Sequence, residues 1–207
     1  MVCARLHLSV DSETGDPVLA ALTTRHSTPK VRADEVPRQL LEATLDAAIH
    51  APNHFRTNPW RFIVLRGKAR DELGNVMAES LRDRLGDVAT PDAVAAIERE
   101  RRKPLRAPVI VVVAAVASDL PKSVEVEEIA AVAASVEHIL LAAEALGLGA
   151  MWRTGPAAYD PAVKRFLGLP VGAHIVSFVY LGYPDALEIP PRVKDFRPYT
   201  TWRGWAD

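Results

Sequence analysis

The run Pro108-Val109-Ile110-Val111-Val112-Val113-Ala114-Ala115 constrains the fold more than any other stretch of the chain. It has no polar side chain and is rich in β-branched residues, the pattern of a strand covered on both faces. Such a strand is central to its sheet. Two more strands are read from Phe62-Ile63-Val64-Leu65, bounded by Gly67, and from His174 to Gly182. Helical signals fill most of the remainder. Asp16-Pro17 is an N-cap followed by a first-turn proline, which predicts a short helix ending near Thr24. A second helix is predicted from Val36 to His50, stopped by Pro52, and two surface helices over Lys68–Leu85 and Asp92–Lys103. The charge run Glu98 to Lys103 reads as a solvated helix face.

The longest helix is predicted from Glu125 to Leu148, ended by Gly147 and Gly149, with alanines that leave room for close helix approach. A short helix follows over Pro161–Leu167. The expected architecture is α/β of the α+β kind: a mixed sheet with three clear strands, flanked by helices, with one long central helix. Residues 1–15 read as a flexible N-terminal segment and 16–207 as a single domain.

Composition narrows the partners. The 207 residues carry 25 Lys+Arg against 26 Asp+Glu, a formal charge of -1, so no global field favours nucleic acid or an anionic membrane. Residues 1–20 lack a signal-peptide core, because Asp11, Glu13, Gly15 and Asp16 interrupt it. The apolar stretch Ile129–Gly149 contains Glu137, His138 and Glu144 and reads as a buried helix rather than a membrane span. One cysteine, Cys3, excludes an internal disulfide and a thiolate metal cage. A cytoplasmic protein with a small-molecule partner is expected.

Familiar nucleotide and hydrolase motifs fail. Gly147-Leu148-Gly149 follows a helix, and Trp152 stands where a dinucleotide fingerprint needs glycine. There is no P-loop and no G-x-S-x-G. His50 and His54 have metal-ligand spacing, but Pro52 between them breaks the helix that would align them, so no metal site is expected. His7, His138 and His174 are given no role.

Three polar constellations lie at element boundaries, where binding sites tend to be mounted. They are Arg25-His26-Ser27, the loop from His50 to Trp60, and Met151-Trp152-Arg153-Thr154-Gly155. Singly, each has a plain structural reading as a helix cap, a turn or core filling. Together and in order they resemble the FMN-dependent nitroreductase superfamily. Thr24-Arg25-His26-Ser27 is similar to that family's R-R-S, with histidine for the second arginine. Ala51-Pro52-Asn53-His54-Phe55-Arg56-Thr57-Asn58-Pro59-Trp60 keeps the frame of its A-P-S-S-x-N-x-Q-P-W loop, departing at Arg56 and Asn58 and with Asn53-His54 for the serine pair. Leu140 to Gly149 matches L-L-A-A-x-x-L-G-L-G, Trp152–Gly155 the W-R-[ST]-G of the small-core subgroup, and Tyr180–Pro184 the closing L-G-Y-P.

The resemblance implies an FMN-dependent NAD(P)H oxidoreductase working by alternate steps: hydride from NADH or NADPH to FMN, then reduction of a small organic acceptor such as a nitro compound or quinone. It implies cofactor contacts from Arg25, His26, Ser27, His50, His54, Trp152, Arg153, Thr154 and Gly155, with the chemistry carried by FMN rather than by a catalytic side chain. It places Ala142, Ala143, Glu144, Ala145, Leu146 and Gly147 near the nicotinamide. It further implies a homodimer with shared active sites, His50 and His54 reaching the partner's FMN, and a C-terminal arm from Phe196 to Trp205 exchanged between subunits. A non-catalytic FMN store and a related chemistry such as reductive dehalogenation remain as other readings.

Overall fold

The computed structural model describes residues 16–86, 88–185 and 194–205. The segment 1–15, expected to be flexible, lies outside them, as does Cys3.

Four strands form one sheet: β1 (Trp60–Arg66), β2 (Val109–Ala115), β3 (Gly149–Arg153) and β4 (His174–Gly182), in the order β1-β2-β4-β3. The α+β class is as expected, but every pairing of the described strands is antiparallel, where a mixed sheet was expected. All seven residues of β2 are buried, as its composition requires. Alternation sends Val109, Val111 and Val113 to one face and Ile110, Val112 and Ala114 to the other.

Helices α2 (Arg38–Ala48) and α5 (Glu125–Ala145) cover the first face. α5 buries Val132, Val136, Ile139, Leu140 and Ala143 there, at the three- and four-residue spacing of a single helix stripe. Each fully buried aliphatic side chain contributes roughly 1.5–3 kcal/mol. The second face is covered by α3 (Lys68–Leu85), α6 (Pro156–Tyr159) and α7 (Pro161–Phe166), through Leu73, Met77, Ala157 and Val163. α4 (Pro91–Arg102) packs on α3 so closely that a Cβ at Gly74 would lie 2.2 Å from the Arg101 carbonyl oxygen. Its charged face is solvated, with Glu98 pairing to Arg101 and Arg102. α1 (Pro17–Thr24), capped by the Asp16 carboxylate, has no buried residue and leans on α5.

Two expectations are corrected. The long helix ends at Ala145, not Leu148, because Gly147 turns left-handed (φ 75°) and the Leu148 N–H bonds the Ala143 carbonyl at 2.8 Å. The chain then enters β3 at once, so the sheet has four strands rather than three. β3 is short and lacks β-branched residues, which hid it from a propensity reading. Among the described residues no helix is long and apolar enough to cross a membrane, and no cluster of three or more His, Cys, Asp or Glu could hold a metal ion.

Candidate functional site

Arg25 is the C-cap of α1, and from it the chain leaves the helix and runs across one end of the sheet. The Thr28 N–H bonds the Ala150 carbonyl on edge strand β3 at 2.9 Å. The Arg32 N–H reaches the Tyr183 carbonyl at 2.8 Å, and Val31 bridges Pro184. Gly149 makes this seat possible: a Cβ there would stand 2.6 Å from Thr28 Cγ2 and 2.9 Å from Thr28 Cβ. This docking holds the segment that follows Arg25–Ser27 against β3, the strand that ends at Arg153 just before Thr154 and Gly155.

Their polar groups are largely unused. Arg25 Nε donates to Glu137 Oε1 at 2.8 Å, and no other Arg25 side-chain bond exists among the described residues. His26 Nδ1 lies 3.3 Å from the Thr24 carbonyl. The hydroxyls of Ser27 and Thr154 make no hydrogen bond within the described chain. Gly155 adopts φ 132°, ψ −173°, a region open only to glycine, and the space where its Cβ would stand is empty to 4 Å. Two hydroxyls, an arginine fork and an accessible backbone are a donor set suited to a phosphorylated polar ligand.

Strand alternation separates Trp152 from Arg153. Trp152 packs with the α5-side core and donates its indole N–H to the Val176 carbonyl at 3.2 Å. Arg153 turns to the opposite face, its guanidinium 5.5 Å from the Tyr180 ring centroid. The sheet therefore does not bring Arg153 together with Arg25, a consequence of strand β3, which the sequence did not signal. Tyr180 is buried, and burial pushes its phenol up to about 12 against the opposing charges of Arg153 and Arg106. It stays neutral beneath the guanidinium.

His54 lies elsewhere. Its Nδ1 meets Glu127 Oε2 at 2.8 Å, at the start of α5, and its ring stacks on Phe55 with centroids 3.9 Å apart. Glu127 and Glu137 are ten residues apart, about 15 Å along the helix and roughly 80° around it. His50, exposed just past α2, sits near Ala47, whose carbonyl lies 3.1 Å from His138 Nδ1. Neither histidine bonds to the Arg25 group within one chain. The loop between them is strained: Phe55, Arg56 and Asn58 all have left-handed φ of 50–56°. Asn53 braces it, receiving the Thr57 N–H and hydroxyl and donating to Asn58.

Beside this loop Glu128 is buried. Burial works to raise its carboxyl, but the facing Ser123 hydroxyl, the Ser118 N–H and the Thr57 hydroxyl outweigh it and hold it below the ordinary carboxylate value. Only the Ser118 N–H is at bonding distance, 2.8 Å from Oε2, and Oε1 has no bonded partner.

In the segment 142–147, expected near the nicotinamide, Ala143 is fully buried in the core, so it cannot face a ligand. Its neighbours form the α5 cap, and Glu144 Oε1 lies 3.5 Å from the Thr24 hydroxyl. Sequence reading passed over Glu137 and Glu127 as partners of Arg25 and His54. Their signal was their charge on an otherwise apolar helix.

An antiparallel sheet between two helical layers, with the segment after Arg25 docked on its edge strand β3, defines a three-layer α+β scaffold. The chain belongs to the Nitroreductase family, whose model matches residues 22–183. It is 29% identical over 185 residues to YdjA of Escherichia coli (strain K12), provisionally named an NAD(P)H nitroreductase, covering 89% of this chain and 98% of that protein. It is 30% identical over 206 residues to a protein named NADH dehydrogenase from Thermus thermophilus, covering 90% and 98%. A nitroreductase-like family protein from Bacillus cereus shares the fold, with a TM-score of 0.75, 24% identity, and 91% and 97% coverage. So does the FMN-dependent nitroreductase NfnB from Mycobacterium smegmatis, solved with NADPH, with a TM-score of 0.67, 19% identity, and 90% and 97% coverage.

Proposed function

We propose that this chain is an FMN-dependent NAD(P)H oxidoreductase that reduces a small organic acceptor, a nitro compound or a quinone. The observation that carries the reading is the docking of Thr28 on β3, which holds the preceding Arg25–Ser27 segment in place with the Arg25 terminal amino groups and the Ser27 hydroxyl without a partner among the described residues. Family membership supports the choice of cofactor, as do structural neighbours named for their use of FMN and NADPH. Bound FMN supplies hydride transfer between the nicotinamide and the acceptor. The chain's residues position it. Arg25, with His26 and Ser27, holds the anionic portion, while the Thr154 hydroxyl and the backbone at Gly155 reach the ring system. Trp152, fixed by its bond to Val176, walls the α5 side.

His50 and His54 reach the cofactor of a second copy in this reading. Support comes from the separation of about 15 Å along α5 and from apolar residues exposed on a single chain: Val18, Leu19 and Leu22 of α1, and Phe196, Tyr199, Trp202 and Trp205 of the tail. The tail then acts as an arm laid on that copy.

The test is the visible spectrum of the purified protein under anaerobic conditions, before and after NADH and NADPH, with the released cofactor identified. Bound FMN that bleaches with either nucleotide is the expected result. FMN that does not bleach supports a storage protein, and failure to take up FMN overturns the assignment. Light scattering tests the shared site: a stable FMN-loaded monomer excludes it.

A further inference from the structure

We propose that Glu137 is a positioning residue that aims the Arg25 guanidinium at the bound cofactor, an inference that rests on the reading of Arg25 as an FMN ligand. α1 has no buried residue, so packing alone does not fix the place of its last turn. What fixes it is polar. Glu137 accepts from Arg25, and Glu144, seven residues further and so two turns along the same helix face, lies against Thr24. These two carboxylates form a rail on which the end of α1 rests.

The mode of pairing matters more than the pair. Glu137 takes the Nε–H of Arg25 at 2.8 Å and leaves both terminal amino groups without a partner among the described residues. A guanidinium is planar and rigid, so fixing the direction of one N–H fixes the fork formed by the others. The Arg25 and Glu137 side chains are only 21% and 38% exposed, so solvent screens this contact less than a surface pair. Arg25 also lies three residues before Thr28, whose backbone is bound to β3. Anchored at Nε and through Thr28, the fork has one direction rather than many.

A carboxylate beside an anion site also repels the anion, so orientation and charge act in opposite senses. Two substitutions separate them. Glu137→Gln keeps an oxygen that can accept from Nε–H but removes the charge, whereas Glu137→Ala removes both. Immobilising one long side chain is worth a few-fold to about tenfold in affinity.

The experiment titrates FMN into apoprotein and follows the quenching of flavin fluorescence, with Tm measured for each variant. Glu137→Ala is expected to weaken FMN binding about three- to tenfold with little change in apoprotein Tm. Glu137→Gln is expected to bind FMN at least as tightly as the parent. Arg25→Ala/Glu137→Ala is expected to bind FMN no more weakly than Arg25→Ala alone, since with Arg25 gone there is nothing to aim and only the repulsion is relieved. Parent-like affinity in Glu137→Ala would overturn the proposal while leaving Arg25 a ligand. So would a glutamine variant as weak as the alanine variant, or the same loss from Glu137→Ala in the Arg25→Ala background. If Arg25→Ala itself bound FMN normally, the cofactor site as read would fail, and this inference with it.

Discussion

The two halves of α5 hold their neighbours by different physics. At its start, Glu125 and Glu127 pair with His174 and His54 at 2.5 and 2.8 Å, between side chains that are 45–61% exposed. Further along, Glu137 holds Arg25 in a half-buried pair, and a backbone bond from Thr28 to β3 reinforces it. Exposed pairs are worth about 0–1 kcal/mol and fade with salt, whereas shielded ones fade less. The first end thus clips a strained loop weakly in place, and the second seats Arg25 firmly. One helix supplies an adjustable contact and a fixed one.

The severest way to erase this contrast is to damage the helix itself. Ile139→Ala, at a fully buried position, should cost about 2–5 kcal/mol and loosen both ends together, read as a lower urea midpoint. Arg25→Ala strikes the fixed end alone. Loss of a charge-assisted contact worth roughly 1.5–3 kcal/mol should weaken FMN binding about tenfold or more, whereas Arg153→Ala, on the other face of the sheet, should weaken it much less. Equal losses from both would contradict the face assignment.

At the other end, Glu128 is held below its ordinary value, so its contribution is present above the unfolded pKa and is lost as pH falls through the folded one. Acid should therefore unpin the Ser118 and Thr57 segments, and Glu128→Gln should flatten the acid limb of the stability curve. Tyr180 has the opposite sign. Its contribution is complete below about pH 10 and is lost towards pH 12, a limb that Tyr180→Phe should remove. The smallest effect is on salt: raising it to about 1 M should speed amide exchange in residues 53–58 more than at Thr28.

Much of this was legible from pattern. β2, β4 and α3 stand where composition put them, because continuous or alternating apolar runs and capping residues are local signals. β3 was not legible. Gly149-Ala150-Met151-Trp152-Arg153 has no strand signature of its own and becomes a strand by pairing with Phe178–Gly182. Missing it also meant missing the alternation that sends Trp152 and Arg153 to opposite faces. The motif residues around Arg25 and Thr154 could be named from resemblance, yet their partners could not. Glu137, Glu127 and Ala150 are joined to Arg25, His54 and Thr28 only by long-range contacts, which no spacing rule reveals. The left-handed residues Phe55, Arg56 and Asn58 carried no sign either, since glycine is absent there.

The seat beneath Arg25–Ser27 also sets an order of events in the cell. Thr28 waits for Ala150, and Lys30 for Asp185, before either backbone contact can form. At ribosomal speeds of about 5–20 residues per second, that interval is roughly six to thirty seconds. The arginine motif is thus made more than a hundred residues before the strand it docks on, so the edge that seats it can form only after that strand has been synthesised.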